Sequence, residues 1–405
     1  MHKAYAVITF GCQANEADSQ RIHAQYSAQG YTKAIDEFHA DVVIINTCMV
    51  RQMAEERVYG LYHNLIASKE QTGFPKKIIV TGCLVGASAR EPSGRVAAKM
   101  RRRLPQVDEF LPIEEVGFNN EPLRTSPIHA LVPISNGCNN FCTFCIVPFS
   151  RGREISRSYQ EIIDECQHLA EHGYKEITLI GQNVNSYGAD LILGPNNIQV
   201  LRDKTVSNFF PQQPDSKKVQ TDGYILPNGT KVKPTMVKHL GKVRIPTLFP
   251  ALLQTLCQIN PPFSKIDFIS SNPWDFSDQL IKVIANNPQI SRQLHLPVQS
   301  GSDKILKKMN RWYSASEYLS LINKIKQSIP EIKISTDIIV GFPSESDEDF
   351  ELTRKLAHTV QFNKAYISRY SPRLGTASEQ AFPDDISHQI KKSRWKILEK
   401  EINGY

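Results

Sequence analysis

The sequence predicts an α/β protein in two parts: an amino-terminal parallel α/β (Rossmann-like) domain, then an open, partial (β/α)6 barrel carrying a basic, partly β insertion. Three observations carry this. Short apolar runs alternate with helical patterns through the first third of the chain. After a polar, Pro-containing stretch at Asn119–Ser126, a longer βα alternation begins and runs through six units. Inside that second series lies a segment with neither pattern, rich in Pro, Asn, Gly and Lys.

In the first part, strands are expected at Tyr5–Phe10, Val42–Asn46 and Ile78–Thr81, with helices at Glu16–Gln29 and Arg51–Ala67. In the second, the expected strands are Leu131–Ser135, Glu176–Gly181, Lys265–Ser271, Gln293–Val298, Lys333–Val340 and Lys364–Tyr370. Helical patterns lie between most of them, among them Tyr159–His172, Leu248–Ile259 and Ser314–Ser328. Strand ends of such a barrel carry the chemistry on one face. The expected domains are 1–122, 123–376 and a helical carboxyl-terminal segment at 377–405. The irregular insertion spans about 191–242 and contains Asn228-Gly229 between short apolar runs, a hairpin signal. From Asp190 to Arg244 there are nine Lys/Arg against four Asp/Glu, so this flap is basic. Its Phe209, Phe210 and Tyr224 offer ring faces on which unpaired bases stack. Lys99-Met100-Arg101-Arg102-Arg103 reads as a solvated helix end, with phosphate contact as the alternative.

Composition narrows the class. With 40% hydrophobic and 22% charged residues the chain is ordinary for a globular protein, and no apolar run is long enough for a bilayer span. Met1 to Phe10 lacks the long apolar core of a secretory signal, so the expected location is the cytoplasm, with no membrane partner. The net charge of +7 favours a polyanionic partner. Eight cysteines in 405 residues are too few for a disulfide scaffold, and a reducing compartment keeps them as thiols.

Six of the eight fall in metal-ligating surroundings. Gly137-Cys138-Asn139-Asn140-Phe141-Cys142-Thr143-Phe144-Cys145 is a Cys-x3-Cys-x2-Cys run right after an expected strand. A compact loop of this kind can aim three thiolates at one [4Fe–4S] cluster and leave one iron open to a small-molecule chelator. A zinc knuckle is the alternative, although zinc sites usually bring four ligands in paired spacing. Cys12, Cys48 and Cys83 are separated by 35 and 34 residues, and each follows an expected strand. Such positions converge at the carboxyl edge of a parallel sheet, so three thiols there make a second cluster site. Burial as small hydrophobes is the competing reading. Cys166 and Cys257 lie on apolar helix faces and read as core.

The Cys-x3-Cys-x2-Cys run resembles the signature of the radical S-adenosylmethionine (SAM) superfamily. With a three-cysteine domain ahead of it, the chain is similar to the methylthiotransferase family, and its wording is close to the MiaB branch. The segments that carry this include Gly11-Cys12-Gln13-Ala14-Asn15, Ile45-Asn46-Thr47-Cys48, Cys142-Thr143-Phe144-Cys145-Ile146-Val147-Pro148 and Arg151-Gly152-Arg153-Glu154. Others are His295-Leu296-Pro297-Val298-Gln299-Ser300-Gly301 and Ser335-Thr336-Asp337-Ile338. Relatives acting on a ribosomal-protein aspartate or on threonylcarbamoyl-adenosine usually read Gly-Cys-Pro-Lys-Asn or Gly-Cys-Lys-Val-Asn at the first motif. An electron carrier or an iron–sulfur RNA-binding module is the reading from outside this family.

The resemblance implies two [4Fe–4S] clusters, one on Cys138, Cys142 and Cys145 with SAM at its open iron, and one on Cys12, Cys48 and Cys83. It implies methylthiolation of C2 of N6-isopentenyladenosine at position 37 of tRNA, with one SAM as methyl donor and a second as radical source. The implied partners are the tRNA anticodon arm and an electron donor such as flavodoxin or ferredoxin. Gly181-Gln182-Asn183 occupies the place of a motif that contacts the SAM amino group; a plain strand-to-loop turn is the alternative. Arg151 and Arg153 suit a phosphate or the SAM carboxylate, or else ion pairs between domains. His295 and Asp337, on expected barrel strands, are candidate substrate contacts, a satisfied core histidine being the alternative for His295. Family members continue into a small RNA-binding TRAM domain; this chain stops at Tyr405 after a helical stretch, so no TRAM domain is expected.

Overall fold

The computed structural model describes residues 3–49, 52–113, 121–193, 223–239 and 243–404. Phe209 and Phe210 of the basic insertion lie outside the described residues, as does most of the stretch around them. The first sheet contains β1 (Ala4–Thr9), β2 (Thr32–Lys33), β3 (Val42–Thr47), β4 (Lys77–Gly82) and β5 (Glu109–Leu111), all parallel, in the order β2-β1-β3-β4-β5. Its helices are α1 (Gln13–Ala28), α2 (Gln52–Thr72), α3 (Cys83–Arg90) and α4 (Arg95–Arg103). Side chains alternate across a strand. Val43, Ile45, Ile78 and Val80 therefore meet Val58, Leu65, Val96 and Met100, while Tyr5, Val42, Ile44 and Ile79 meet Ile22 of α1. Every residue of β3 is buried, as a parallel strand covered on both faces requires. Strands β2 and β5, two and three residues long, leave no periodic signal in the sequence.

The expected basic helix end is the end of α4, where Lys99 and Arg103 are ion-paired and Arg101 and Arg102 are exposed. Lys99 Nζ lies 2.6 Å from Glu55, and Arg103 pairs with Glu56 at 3.2 Å while its guanidinium sits 3.5 Å from the Tyr59 ring centre.

The second part opens with β6 (His129–Pro133), β7 (Ser135–Asn136), α5 (Val147–Ser150), β8 (Ile155–Ser156), α6 (Tyr159–Glu171), β9 (Glu176–Ile180) and α7 (Ala189–Leu193). Two short hairpins follow, β10 (Tyr224–Ile225) with β11 (Lys231–Val232), and β12 (Thr235–His239) with β13 (Val243–Thr247). Then come α8 (Phe249–Leu256), β14 (Lys265–Phe268), α9 (Asp278–Asn286), β15 (Gln293–His295), α10 (Asp303–Lys308) and α11 (Ala315–Ser328). The series ends with β16 (Lys333–Val340), α12 (Asp347–Val360), β17 (Lys364–Arg369), α13 (Ala377–Ala381) and α14 (His388–Leu398). Six strands form two parallel sheets, β14-β9-β6 and β15-β16-β17, and a parallel bridge between Ile266 and Ile290 links them. All six stand where the sequence places them.

The first hairpin turns at Asn228-Gly229, as expected. Its Tyr224 is partly buried against the main core, with its ring 6.5 Å from that of Tyr159. The second hairpin pairs Val237 with Ile245 in a small apolar cluster, too little apolar pattern to be read from sequence.

The two parts share packing. Ala14 and Ala17 of α1 lie against Leu131 and Ile180, and Ile146 and Phe149 join the core of the first sheet. Among the described residues no helix is long and apolar enough to cross a membrane.

Candidate metal and cofactor site

The first cysteine set is assembled by strand register. In β1, β3 and β4, Thr9 lies opposite Asn46, Asn46 opposite Thr81 and Thr47 opposite Gly82. Neighbouring strands are about 4.8 Å apart, so Cys12, Cys48 and Cys83 follow one another along a single carboxyl edge. Side chains tie the three motifs together. Asn15 Nδ2 donates to Asn46 Oδ1 (3.0 Å) and the Thr47 carbonyl (3.1 Å), and Asn46 Nδ2 donates to the Asn15 carbonyl (2.8 Å). The Thr47 hydroxyl donates to the Thr81 carbonyl at 2.6 Å and accepts from Leu84 N–H at 3.2 Å. Gly82 has a φ of +88°, and a Cβ there would stand 2.4 Å from Asn46 Oδ1, so this corner needs glycine. Cys48 and Cys83 are buried and Cys12 is exposed.

The second set lies on the loop after β7. Gly137, at φ +80°, lets the loop pass the Arg153 carbonyl, which a Cβ would approach to 2.0 Å. Burial pushes the Cys138 thiol well up, and Glu154, Cys145 and Cys142 add to the push. Burial likewise pushes Cys145 up to about 12, with Cys142 adding and, across the domain boundary, Cys83. Clustered thiols favour a bound cation, because metal coordination removes their protons outright. Among the described residues no three His, Cys, Asp or Glu side chains close on a single-ion geometry. An iron–sulfur cube takes each thiolate on a separate iron, so a donor set of three cysteine thiols suits it in chemistry.

Arg151 lies between the two sets. Its Nη2 donates to Asp18 Oδ2 at 2.7 Å and its Nη1 to Asn136 Oδ1 at 3.2 Å, so of its two readings the interdomain ion pair is the one present. Burial works against its charge, but Asp18, Cys83 and Cys12 hold the guanidinium above its usual range. Arg153 lies over the Phe141 ring at 5.2 Å. Gln182 Oε1 accepts from Gly137 N–H at 2.5 Å, bracing the cysteine loop, and Asn183 Nδ2 donates to Asp275 at 2.6 Å. Cβ space at Gly181 is closed by Ser135 Oγ at 2.7 Å. His295 and Asp337, on adjacent strands, are brought together: His295 Nε2 is 3.1 Å from Asp337 Oδ2 and Nδ1 is 3.0 Å from Ser335 Oγ. Leu294 and Leu296 point into the core and leave His295 half-buried on the opposite face, which excludes a fully enclosed core histidine.

Buried polar atoms gather after the carboxyl ends of β6, β9, β14 and β15. Ser135 Oγ, Asn183 Oδ1, Ser271 Oγ, Asn272 Oδ1, Trp274 Nε1 and Gln299 Oε1 have no hydrogen-bond partner among the described residues. Such atoms are costly unless a ligand or water satisfies them, so the strand ends suit a polar small molecule such as SAM. Ser270 and Gln299, both at φ 69°, hold left-handed backbone here. Strain of this kind, about 1 kcal/mol or more per residue, concentrates at functional sites.

Sequence reasoning missed several site residues. Asp18 is an ordinary helix position until Arg151 meets it. Glu154 is fully enclosed, accepts from Ser186 Oγ at 2.8 and 2.7 Å, and is pushed well up by burial. Arg311 donates to Cys142 Sγ at 3.3 Å. The available signal was a lone arginine set among Asn310, Trp312 and Tyr313.

Residues 132–357 match the radical SAM superfamily, and residues 4–100 match the family described as uncharacterized protein family UPF0004. The tRNA-2-methylthio-N(6)-dimethylallyladenosine synthase of Fervidobacterium nodosum is 34% identical over 98% of this chain and 84% of its own length. Those of Treponema pallidum and Caldicellulosiruptor saccharolyticus are 35% and 37% identical, over 96% and 99% of this chain and 81% and 78% of their own lengths. The chain belongs to this family of radical SAM enzymes. Radical SAM enzymes pair SAM with a [4Fe–4S] cluster, and enzymes of this synthase family carry two clusters. The fold is also that of a solved radical SAM methyltransferase, TsrM from Kitasatospora setae, at 11% identity and TM-score 0.55 over 94% of this chain and 77% of that one.

Proposed function

We propose that this radical SAM enzyme methylthiolates C2 of N6-isopentenyladenosine at position 37 of tRNA, using two SAM molecules, one as methyl donor and one as radical source. That carbon bears an unactivated C–H bond that no acid–base pair removes at useful rates, so the chemistry must be borne by a cofactor. When bound, the two clusters and SAM supply one-electron cleavage, sulfur and methyl group.

The chain's own residues hold and orient these groups. Cys138, Cys142 and Cys145 hold one cluster and Cys12, Cys48 and Cys83 the other. Gln182 braces the first cysteine loop, and the unpaired atoms of Asn183, Ser271 and Asn272 are placed to bind polar parts of SAM. The six parallel strands act as an open barrel whose inner face presents His295, Asp337 and the half-exposed Tyr366 to the base. The partners in this reading are the tRNA anticodon arm and an electron donor such as flavodoxin or ferredoxin.

The observation that supports it most is the shared packing of the two cysteine-bearing parts, with Arg151 of the second donating to Asp18 of the first, because a base activated at one cysteine set must meet sulfur at the other. The test is anaerobic turnover with tRNA followed by mass spectrometry of its nucleosides. A 2-methylthio derivative of isopentenyladenosine is expected. SAM cleavage without that product, or product only on threonylcarbamoyl-adenosine, would overturn the assignment.

A further inference from the structure

Arg311 follows α10 and lies 169 residues from Cys142 in the chain. All edges of its guanidinium are engaged. Nη1 donates to Cys142 Sγ at 3.3 Å, Nη2 to the Pro297 carbonyl at 2.9 Å and Nε to the Tyr313 hydroxyl at 3.2 Å. The plane lies 4.6 Å from the Trp274 ring centre and 5.3 Å from that of Tyr313. At 8% exposure the charge is poorly screened by water. The same loop grips the cysteine loop. Thr143 donates from its N–H to the Met309 carbonyl (3.1 Å) and from its hydroxyl to the Lys308 carbonyl (2.8 Å). Asn310 Nδ2 donates to the Phe141 carbonyl at 2.9 Å, and both residues hold left-handed backbone, at φ 57° and 48°.

We propose that Arg311 is a positioning residue that sets the reduction potential of the cluster held by Cys138, Cys142 and Cys145, through a charge-assisted hydrogen bond to the Cys142 sulfur. The inference rests on the reading of that triad as a cluster site. One electron from a low-potential donor makes the cluster and its thiolates more negative, with no bond broken and no proton moved. A fixed, desolvated cation beside one ligand sulfur stabilises that reduced form more than the oxidised one. Hydrogen bonds to sulfur are among the factors that set such potentials. Lysine keeps the charge but not the planar fork, which separates the two contributions.

The test uses the full chain with Cys12, Cys48 and Cys83 changed to Ala, so that one cluster reports, reconstituted anaerobically and titrated with dithionite and mediators under electron paramagnetic resonance. Arg311→Met is expected to lower the reduced-to-oxidised ratio at fixed potential at least tenfold, about 59 mV for a one-electron couple. Arg311→Lys is expected in between. Equal potentials in the Met variant and its parent overturn the proposal. Loss of the cluster from both variants also overturns it, leaving Arg311 a clamp on the loop. Failure of the parent, with Arg311 intact, to bind iron would instead defeat the cluster reading itself.

Discussion

The Arg151 guanidinium donates to the Asp18 carboxylate at 2.7 Å, and both side chains are at least nine-tenths buried. Asp18 comes from α1 and Arg151 from just beyond the cysteine loop, so the pair locks the two domains together beside Cys12 and Cys83. Removing one partner of a buried pair strands the other charge. Asp18→Asn is expected to lower unfolding free energy by about 3 kcal/mol, and Asp18→Leu with Arg151→Met to recover part of it, because the buried Arg21 also faces Asp18 at 3.8 Å. Denaturant unfolding of the single and double variants measures the difference.

Two cysteine triads imply two clusters. Anaerobically reconstituted protein should bind about seven to eight irons, and changing Cys138, Cys142 and Cys145 to Ala should remove roughly half. An unaltered iron count in that variant would contradict the assignment.

The triads should also separate by role. With Cys12, Cys48 and Cys83 changed to Ala, dithionite-reduced protein should still cleave SAM, since the loop at Cys138 is untouched, yet form no methylthio product. Product at the parent yield would place the sulfur source elsewhere.

His295 and Asp337 share a hydrogen bond on the face opposite the core. His295→Ala and Asp337→Asn are each expected to lower kcat/KM for tRNA by roughly tenfold, about 1.4 kcal/mol, with iron content unaltered. Steady-state kinetics at saturating SAM reads this, and a matched loss of iron would assign the pair to structure.

Asp349 gives a pH signature. Burial opposes its ionisation, but Lys304, Ser302 and Ser346 outweigh burial and hold it at about 2. A carboxylate held below its unfolded value contributes stability above about pH 4, and that contribution disappears as pH falls through about 2. Asp349→Asn should thus cost about 2 kcal/mol at neutral pH, and the gap from the parent should close across that acid window. A gap independent of pH would show that the capping contacts, and not the charge, carry the effect.

The legible parts of the fold were those with long apolar runs. β3, β4 and β9 are flanked by helical pattern and buried deeply enough to leave near-continuous signals, β16 shows the alternation of a half-buried strand, and the cysteines were legible because they follow apolar runs. β2, β5 and the second hairpin bury too few side chains to leave a pattern. The partner of Arg151 and the role of Arg311 were illegible for another reason: Asp18 and Cys142 lie 133 and 169 residues away. The packing of Tyr224 toward Tyr159 was illegible because aromatic character alone does not say what a ring lies against.

Ala14 and Ala17 rest on Leu131 and Ile180, while Ile146 and Phe149 are lodged in the first sheet's core. Each half of the chain thereby completes the apolar surface of the other, and neither reaches its full burial in isolation. Melting is therefore expected to be cooperative across the boundary, with calorimetry reading a single transition instead of two. The cysteine-bearing edges thus lie on either side of one packed apolar seam that the Arg151–Asp18 pair also crosses.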